Sequence, residues 1–359
     1  MRILHLYRPA LPSLRAQSIQ VLSTCHALAC LGHNVTLFAD RHLPGQWSQT
    51  ALLENLGLPP VQGNGRLQVH INPFRWSPAA GVWFRRQVAQ WWKGPPGTIL
   101  ARDKKRLIQA VKRHDLSHRI ILETHELDSA LAEERGDDPT KWQHLERAAL
   151  SCADALVANC GGTMKLWADN HTDLPDHRMV VHNATSASRL RSLSAQATDP
   201  LVRVVGTLPP YKGCAEVIEA TEHMPCPLEW IGGSDEQRSS FQNSANFSLL
   251  PPIAYPDVPD LLNRSQVLLL PLTDNVFGRS LTSPLKIWDY LATTRPIVVP
   301  DLPTMREIGL LSNAALHWYP SGSSEGLVQA VNDALVAPPR KPFLRTWEHR
   351  ATQIQALFQ

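Results

Sequence analysis

Short apolar strand patterns alternate with helical patterns along the chain, and this alternation leaves few folds open. It begins with an apolar run at 2–7, continues with a helical pattern at 16–31 and returns to an apolar run at 35–39. Gly32 follows the helical pattern directly, where a glycine commonly ends a helix. A strand, a helix and a second strand in this order form a parallel pair with a right-handed crossover. The chain is therefore predicted to start as an open parallel sheet.

The alternation continues far enough to fill two domains. Further strand patterns lie at 67–71, 98–101, 120–123, 155–158 and 179–182, with helical patterns at 102–114 and 139–152. Small, polar residues at 185–200 predict a linker. Beyond it, strands at 203–205, 228–231, 267–271 and 297–299 alternate with helices at 213–222, 257–263 and 325–336. This pattern is typical of α/β proteins with doubly wound sheets.

We therefore expect two Rossmann-like domains of similar size. The N-terminal domain is predicted to span residues 1–190 and the C-terminal domain residues 191–342. A last helix within 343–359 lies beyond a proline-rich break and is predicted to cross back to the N-terminal domain. A chain of 359 residues is too long for one compact core and about right for two.

Composition narrows the class of protein. The chain has 35 Lys and Arg against 32 Asp and Glu, which is far from the strongly basic profile of nucleic-acid-binding domains. Its 6 cysteines form no CxxC pair, which favours reduced thiols over disulfides or a zinc site. No apolar run approaches the ~18 residues of a membrane span, and no signal-peptide pattern opens the sequence. We expect a cytoplasmic protein that binds no nucleic acid.

The segment at 282–301 carries the clearest binding signal. A hydroxyl-rich turn, Thr282-Ser283-Pro284, opens a helical run that contains Asp289, and an apolar strand pattern follows. The N–H groups and the positive end of the dipole at such a helix start favour a phosphate. An acidic side chain in the same helix can reach ribose hydroxyls, as it does in dinucleotide sites. The segment therefore predicts a nucleotide diphosphate site.

Two more turns follow predicted strands of the same domain, at the sheet edge where open α/β sheets bind ligands. In VVGTLPPYKG, Gly206 allows close backbone approach and Lys212 offers an ammonium group just before a helix. Taken alone, Lys212 is equally well explained as a solvated loop lysine. Gly232 and Gly233 follow the next strand, although a glycine pair is weak evidence because tight turns commonly use it.

With these segments in view, the chain resembles the retaining GT-B glycosyltransferases of family GT4, and within it the subset with an SPLK-type loop. In the second half the resemblance lies in VGTL…YKG, LEWIGG, YPDVPDLLNRSQVLLLPL, SPLKIWDYLATTRPIVVPDLPTMREI and TWEHRA. In the first half it lies in RAQSIQVLSTCHALACLGHNVTLF, ILETHE, ADALVANC and VVHNA. It implies two Rossmann-like domains with a cleft between them, and sugar transfer with retention of configuration. It also implies that no metal or other cofactor is required.

The resemblance assigns the donor, a UDP- or GDP-sugar, to the C-terminal domain and an unidentified acceptor, a glycan or a lipid-linked group, to the N-terminal domain. The implied donor-binding residues are Gly206, Thr207, Lys212, Gly232, Gly233, Arg279, Thr282, Ser283, Pro284, Leu285, Lys286 and Asp289. The implied acceptor-side residues are Arg15, Gln17, Ser18, Glu123, His125 and Glu126. The implied catalytic residues are His125, Lys212 and Lys286. For His125, a purely structural role in its loop is the alternative.

The sequence departs from the family pattern at two places. Thr207 stands where the family usually has an arginine beside the donor diphosphate, so that only Lys212 remains of that pair. Leu281 stands where the family usually has its first acid, and Asp289 is a shortened second acid. The SPLK-type subset commonly lacks the first acid. A catalytically inactive GT-B protein that binds nucleotide sugars or acts as a scaffold is therefore the alternative to an enzyme.

Two features remain ambiguous in the sequence. Arg279 and Lys286 are both candidates to supply the missing positive charge. Residues 74–93 interleave aromatic and basic side chains, namely Trp76, Trp83, Phe84, Trp91 and Trp92 with Arg75, Arg85, Arg86 and Lys93. One interpretation is a helix that lies on the inner face of the membrane and makes the protein peripheral. The other is a helix whose aromatic rings pack on the sheet or line the acceptor cleft.

Overall fold

The computed structural model describes residues 1–43, 47–74, 77–113, 117–186, 197–208 and 213–359. The chain folds into two compact units, Met1–Asn183 with Thr346–Gln359 and Ala184–Arg345. The sequence places the corresponding boundaries at 190/191 and 342/343. The predicted linker at 185–200 lies largely outside the described residues, and its last two residues already belong to a strand.

The first unit is built on a sheet whose paired strands are all parallel. Its strands are β1 Arg2–Leu6, β2 Ala10–Leu11, β3 Asn34–Arg41, β4 Arg66–Ile71, β5 Thr98–Ala101, β6 Arg119–Thr124, β7 Ala155–Ala158 and β8 His177–Val180. Its helices up to the second unit are α1 Ala16–Cys30, α2 Gln49–Glu54, α3 Pro78–Trp92, α4 Lys104–Val111, α5 Asp128–Glu134, α6 Thr140–Leu150 and α7 Gly161–Asn170. The strand order is β2-β3-β1-β5-β6-β7-β8, with β4 also paired to β3.

The second unit repeats this plan. Its strands are β9 Asp199–Val205, β10 Leu228–Ile231, β11 Phe247–Leu250, β12 Ser265–Leu269, β13 Ile297–Pro300 and β14 His317–Tyr319. Its helices are α8 Cys214–Thr221, α9 Asp235–Ser239, α10 Val258–Arg264, α11 Leu285–Leu291, α12 Pro303–Ser312 and α13 Ser324–Leu335. The strand order is β11-β10-β9-β12-β13-β14, which is the 3-2-1-4-5-6 order of the doubly wound dinucleotide fold. Its topological switch point lies between β9 and β12.

Both faces of the second sheet are buried, which explains why its strands appear in the sequence as continuous apolar runs. Successive side chains of a strand point to opposite faces. Val267 and Leu269 accordingly belong to one apolar cluster, and Leu268 and Leu270 belong to the other. The helices between the strands cover these two clusters from either side.

The last helix, α14 Trp347–Gln355, belongs to the first unit. It begins at a capping box in which the Thr346 hydroxyl accepts from the His349 backbone N–H, and this cap sets its start later than the predicted residue 343. The Arg350 guanidinium of this helix donates a 2.9 Å hydrogen bond to the Thr24 hydroxyl of α1. No helix in the described part of the chain is long and apolar enough to cross a membrane.

Helix α3 resolves part of the ambiguity at 74–93. Phe84, Trp91 and Trp92 are buried in the first unit, and the Trp83 ring packs edge-on against Phe38 at a centroid distance of 6.0 Å. These contacts favour the interpretation in which the aromatic residues pack on the sheet. Arg85 and Arg86 are exposed. Arg75 and Trp76 lie outside the described residues.

Candidate functional site

The two turns that follow β9 and β10 meet at the carboxyl edge of the second sheet. The Gly206 N–H donates to the Ile231 carbonyl at 2.9 Å, and the Trp230 indole N–H donates to the Gly206 carbonyl at 3.1 Å. Gly232 has a φ of 137°, and a Cβ built there would lie 2.2 Å from the Gly206 carbonyl oxygen. Only glycine therefore fits at 232, and the backbones of the two turns approach each other closely. Next along the chain, Gly233 is half-buried.

The segment after β12 brings α11 to the switch point. The Val205 N–H at the end of β9 donates to the Tyr290 hydroxyl at 3.0 Å, which fixes α11 against that strand end. Thr282 and Ser283 are buried, and the Ser283 hydroxyl accepts from the Trp288 indole N–H at 3.1 Å. The helix starts after Pro284, and among the described residues no side chain caps its first turn. The hydroxyl-rich turn is thus fixed by a hydrogen bond from Trp288 of α11.

The predicted cations of this site have aromatic and acidic neighbours. The Lys286 ammonium lies 5.5 Å from the centroid of the Tyr255 ring. The Arg279 guanidinium pairs with the Asp274 carboxylate through two hydrogen bonds, one of them 3.0 Å long. The Arg279 side chain is 56% exposed, so that water screens this pair and a phosphate can compete for the arginine. Lys212 lies outside the described residues.

The acid of α11 is buried. Asp289 is 6% exposed, and its Oδ1 accepts a 2.6 Å hydrogen bond from the Thr185 hydroxyl. Leu281, at the position of the family's first acid, is 1% exposed. Thr207, at the position of the family's arginine, is exposed. Sequence reasoning located Asp289 but missed Thr185, which carried no local signal.

The first unit contains a separate cavity of about 260 Å³ at the carboxyl edge of its sheet. It is lined by Tyr7, Gln17, Arg102, Asp103, Lys104, Lys105, Glu123, Thr124, His125, Glu126, Asp128, Trp142 and Leu145. Tyr7 follows β1, Arg102 follows β5 and His125 follows β6. These strands are adjacent in the sheet, and the order reverses between β1 and β5. The cavity therefore lies where a doubly wound sheet binds its ligand.

The walls of this cavity combine rings with charges of both signs. The Lys105 ammonium lies 5.3 Å from the Trp142 ring centroid, and the Arg102 guanidinium lies 5.3 Å from that of Tyr7. The Lys104 ammonium donates to the Asp128 carboxylate at 2.6 Å. Rings beside mixed donors and acceptors suit a ligand that presents both C–H faces and hydroxyl groups.

Behind the cavity, His125 is held by Glu123. The His125 Nε2 is 2.7 Å from the Glu123 Oε1, which also accepts a 2.7 Å hydrogen bond from Gln20 and one from the Arg350 guanidinium. Burial raises the pKa of Glu123, but Arg350 and the hydrogen bond from His125 outweigh it and hold this pKa well below its usual range. Burial, supported by the Arg102 charge, lowers the pKa of His125 to about 4 although Glu123 opposes it. At neutral pH the pair is a carboxylate and an uncharged imidazole.

The remaining acceptor-side predictions fall into two groups. Gln17 and Glu126 line the cavity with His125, and Arg15 lies exposed just before α1. Ser18 is 1% exposed, and its hydroxyl donates to the Ala10 carbonyl at 3.1 Å. This hydroxyl therefore stabilises the loop before α1 and does not line the cavity. Within the described ranges, no group of three or more His, Cys, Asp or Glu side chains is arranged to hold a metal ion.

Comparison with known proteins establishes the fold. No protein-family model and no curated protein matches the sequence. Among solved structures, sucrose-phosphate synthase from Thermosynechococcus elongatus superposes with a TM-score of 0.70 at 16% identity, covering 100% of this chain and 95% of that one. HepE from Anabaena, solved with UDP-glucose, gives a TM-score of 0.61 at 16% identity and covers 100% and 95%. The lipopolysaccharide-biosynthesis glycosyltransferase WaaG gives 0.63 at 12% identity and covers 100% and 96%.

These proteins are GT-B glycosyltransferases, and the superpositions span the whole chain. The predicted α/β class with two Rossmann-like domains, as in the GT-B fold, is therefore confirmed. At such low identity the likeness establishes the fold, and the activity has to be argued from the site.

Proposed function

We propose that the chain is a glycosyltransferase that moves a sugar from a nucleotide diphosphate sugar to an acceptor hydroxyl, with retention of configuration and without a metal ion. The observation that carries the proposal is the switch point of the second unit. There the Gly206 and Gly232 turns meet, and Tyr290 fixes α11, with Lys286 and Asp289 on it, against β9. The complexes of HepE with UDP and UDP-glucose support a nucleotide-sugar donor.

The proposed donor site is argued from the negative charge that develops on the donor diphosphate during transfer. Negative charge builds on the diphosphate oxygens as the sugar leaves, and preorganised cations and N–H groups stabilise it without reorganisation. Lys286, Arg279 and Lys212 are the proposed cations, and Asp289 is the proposed ligand of the ribose hydroxyls. In the retaining mechanism implied by the GT4 resemblance, the leaving phosphate itself takes the proton of the acceptor. Retention and metal independence rest on that resemblance.

The acceptor half of the proposal rests on the cavity of the first unit. Trp142 and Tyr7 offer ring faces to sugar C–H groups, and Glu126, Asp103 and Lys105 offer groups that exchange hydrogen bonds with hydroxyls. The acceptor class, glycan or lipid-linked, and a cytoplasmic location remain part of this proposal.

A non-catalytic nucleotide-sugar-binding or scaffold protein is the second candidate. The observation that favours it is that Leu281 is buried, so the chain presents an apolar side chain where the family usually has an acid. Binding of a nucleotide sugar without turnover, across a range of acceptors, is the outcome that this candidate predicts.

The first experiment is calorimetry with UDP-, GDP-, ADP- and TDP-sugars. One of them should bind, and Lys286→Ala and Lys212→Ala should each weaken the nucleoside diphosphate far more than the nucleoside. A lysine about 4 Å from a phosphate oxygen gains ~4 kcal/mol of Coulomb energy at an effective dielectric constant near 20. Lys165→Ala, which removes an exposed lysine paired with Asp169 in the first unit, is the matched control.

Turnover then separates the candidates. Transfer of labelled sugar should persist in EDTA, and the product should keep the anomeric configuration of the donor. The absence of binding to every nucleotide sugar tested would reject both candidates. Loss of transfer in EDTA that Mg²⁺ or Mn²⁺ restores would reject the metal-independent site.

A further inference from the structure

We propose that Arg350 on α14 is a positioning residue for His125: through Glu123 it fixes the imidazole so that Nδ1 accepts a hydrogen bond from a substrate hydroxyl. The hydroxyl is assigned to the sugar substrate on the strength of the proposed function. The arrangement of the three side chains stands on geometry alone. It gives the C-terminal helix a role in the reaction rather than only in folding.

The three side chains form a chain of contacts from the interior to the cavity. Arg350 is 0% exposed, and its Nη2 donates to the same Glu123 oxygen, Oε1, that contacts the His125 Nε2. The Arg350 Nη1 donates to the Thr24 hydroxyl of α1 at 2.9 Å, which fixes the guanidinium in place. The His125 side chain is 10% exposed and lines the cavity. Of these three side chains, only that of His125 is partly exposed to solvent.

The charge on Glu123 sets the state of the ring. A carboxylate can only accept hydrogen bonds, so the His125 Nε2 must carry the proton that it shares with Oε1. In an uncharged imidazole the other nitrogen, Nδ1, is then an acceptor. A hydroxyl of a sugar in the cavity can donate to it. The ring is therefore prepared to orient one hydroxyl and to reject a group with no hydrogen to donate.

Arg350 is what allows Glu123 to stay charged so deep in the fold. A buried carboxylate without a partner either protonates or draws a proton onto a neighbour. The other polar or titratable groups close to the pair are His5 on β1, Gln20 and Cys25 on α1, and Arg102 after β5. His5 is fully buried with its Nε2 3.8 Å from the Glu123 Oε2, and Gln20 bridges Glu123 to Arg102 at 2.7 Å and 2.6 Å. Of the two guanidinium groups near the pair, Arg350 donates to the carboxylate itself, whereas Arg102 donates to Gln20.

The test measures the ring itself, so it does not depend on finding the acceptor. Protein labelled with ¹⁵N-histidine is titrated by NMR from pH 8 down to pH 4, and the His125 signals are assigned with His125→Gln. Wild type should show an uncharged ring with the proton on Nε2 from pH 8 to about pH 5. Arg350→Gln should make the Glu123–His125 pair take up a proton at a pH higher by about one unit or more.

Three further variants separate positioning from simple destabilisation. Arg350→Lys restores a positive charge and should return proton uptake toward wild type. Glu123→Gln combined with Arg350→Met removes both charges, so it should fold even if Arg350→Gln does not, and His125 should then stay uncharged. Arg119→Gln removes another contact of the C-terminal segment, to the Leu357 carbonyl at 3.3 Å, and should leave the His125 titration unchanged.

Kinetics connect the ring to the reaction. At metal sites, loss of the outer partner that orients a ligating histidine typically costs about 10- to 100-fold in activity, and we take the same range for the metal-free ring of His125. We expect kcat of Arg350→Gln to fall in this range, with an acidic limb in its pH profile at the midpoint measured by NMR. A wild-type ring protonated on Nδ1, or equal proton uptake in wild type and Arg350→Gln, would overturn the proposal even if transfer occurs. An NMR result as expected in a protein that transfers no sugar would instead count against the proposed function.

Discussion

The hydroxyl of Thr185 donates a 2.6 Å hydrogen bond to the carboxylate of Asp289, across 104 residues of sequence. Both residues belong to the second unit and both are buried. A carboxylate has about four acceptor positions on its two oxygens, and the Thr185 hydroxyl is one of the donors that it accepts from. This hydrogen bond orients the Asp289 carboxylate.

Asp289→Asn should weaken binding of a ribonucleotide far more than binding of its 2′,3′-dideoxy analogue. Each hydrogen bond from a hydroxyl to the charged carboxylate contributes ~1.5–3 kcal/mol, and the dideoxy analogue makes neither. Calorimetry with both ligands measures the difference. Asp333→Asn, which changes an exposed acid of α13 in the same unit, is the control, so its ratio of the two affinities should stay near that of wild type. Equal losses for both ligands in Asp289→Asn would show that Asp289 does not bind the ribose.

Gly232→Ala should destabilise the second unit and displace the turn that carries the proposed donor site. The added Cβ would lie 2.2 Å from the Gly206 carbonyl oxygen, and the φ of 137° disfavours a side chain. Gly322→Ala is a matched control, because its φ is 86° but a Cβ there meets nothing within 4 Å. Urea unfolding should show a cost of about 1 kcal/mol for the control and ~1–3 kcal/mol more for Gly232→Ala. Similar costs for both variants would contradict the close approach of the two turns.

Stability should fall on mild acidification because two buried histidines resist protonation. Burial lowers the pKa of His5 and of His125 to about 4, from an ordinary value of 6.5. Between pH 4 and 6.5 the two histidines are protonated in the unfolded chain but not in the folded one. Their contribution to the free energy of unfolding is therefore fully present above pH ~6.5 and is lost as the pH falls. Each histidine contributes a slope of ~1.4 kcal/mol per pH unit in that window.

The variant His5→Leu isolates one of the two contributions. Its unfolding free energy is measured in urea from pH 7 to 5. The slope against pH should be smaller than that of wild type by the contribution of one histidine, ~1.4 kcal/mol per pH unit. From pH 7 to 9 the two proteins should show parallel profiles, because both histidines are then uncharged in both states. An unchanged slope between pH 7 and 5 would mean that His5 titrates normally in the folded protein.

Much of the fold could be predicted because its strands are buried on both faces. Runs such as Ile297–Pro300 are apolar throughout and stand out without any alignment. Two elements that were missed or misplaced, β14 and β8, lack such a run. Strand β14, His317–Tyr319, has only three residues, two of them half-buried, and β8 starts at His177 with two exposed residues. The sequence therefore placed β8 two residues late, on the more apolar segment 179–182.

The candidate site was predictable only where local sequence carried it. Gly232 and Asp289 were identified because a glycine pair after a strand and an acid in a loop-capped helix have a local signature. Thr185 and Arg350 were not, since each acts on a residue far away in sequence, at separations of 104 and 227 residues. Glu123 was expected to line the acceptor site, and its tie to the C-terminal helix became visible only in the folded chain.

Substitutions of Trp92 and of the arginines of α3 should affect the unfolding free energy in different ways, and this difference tests which side of the helix packs on the sheet. Trp92 is 2% exposed and its ring packs edge-on against the His118 ring at a centroid distance of 5.3 Å, so Trp92→Ala should cost ~3–5 kcal/mol by leaving a cavity. Arg85→Glu with Arg86→Glu changes exposed charges and should leave the unfolding free energy nearly unchanged.

If α3 also lies on an anionic bilayer, each arginine contributes ~1 kcal/mol to membrane binding, and this binding weakens with salt. We expect no preference for anionic over neutral vesicles at low salt, because Phe84, Trp91 and Trp92 are committed to the core. Cosedimentation that appears only with anionic vesicles, and disappears in the double variant, would instead show that the exposed arginines suffice to hold the protein at a membrane.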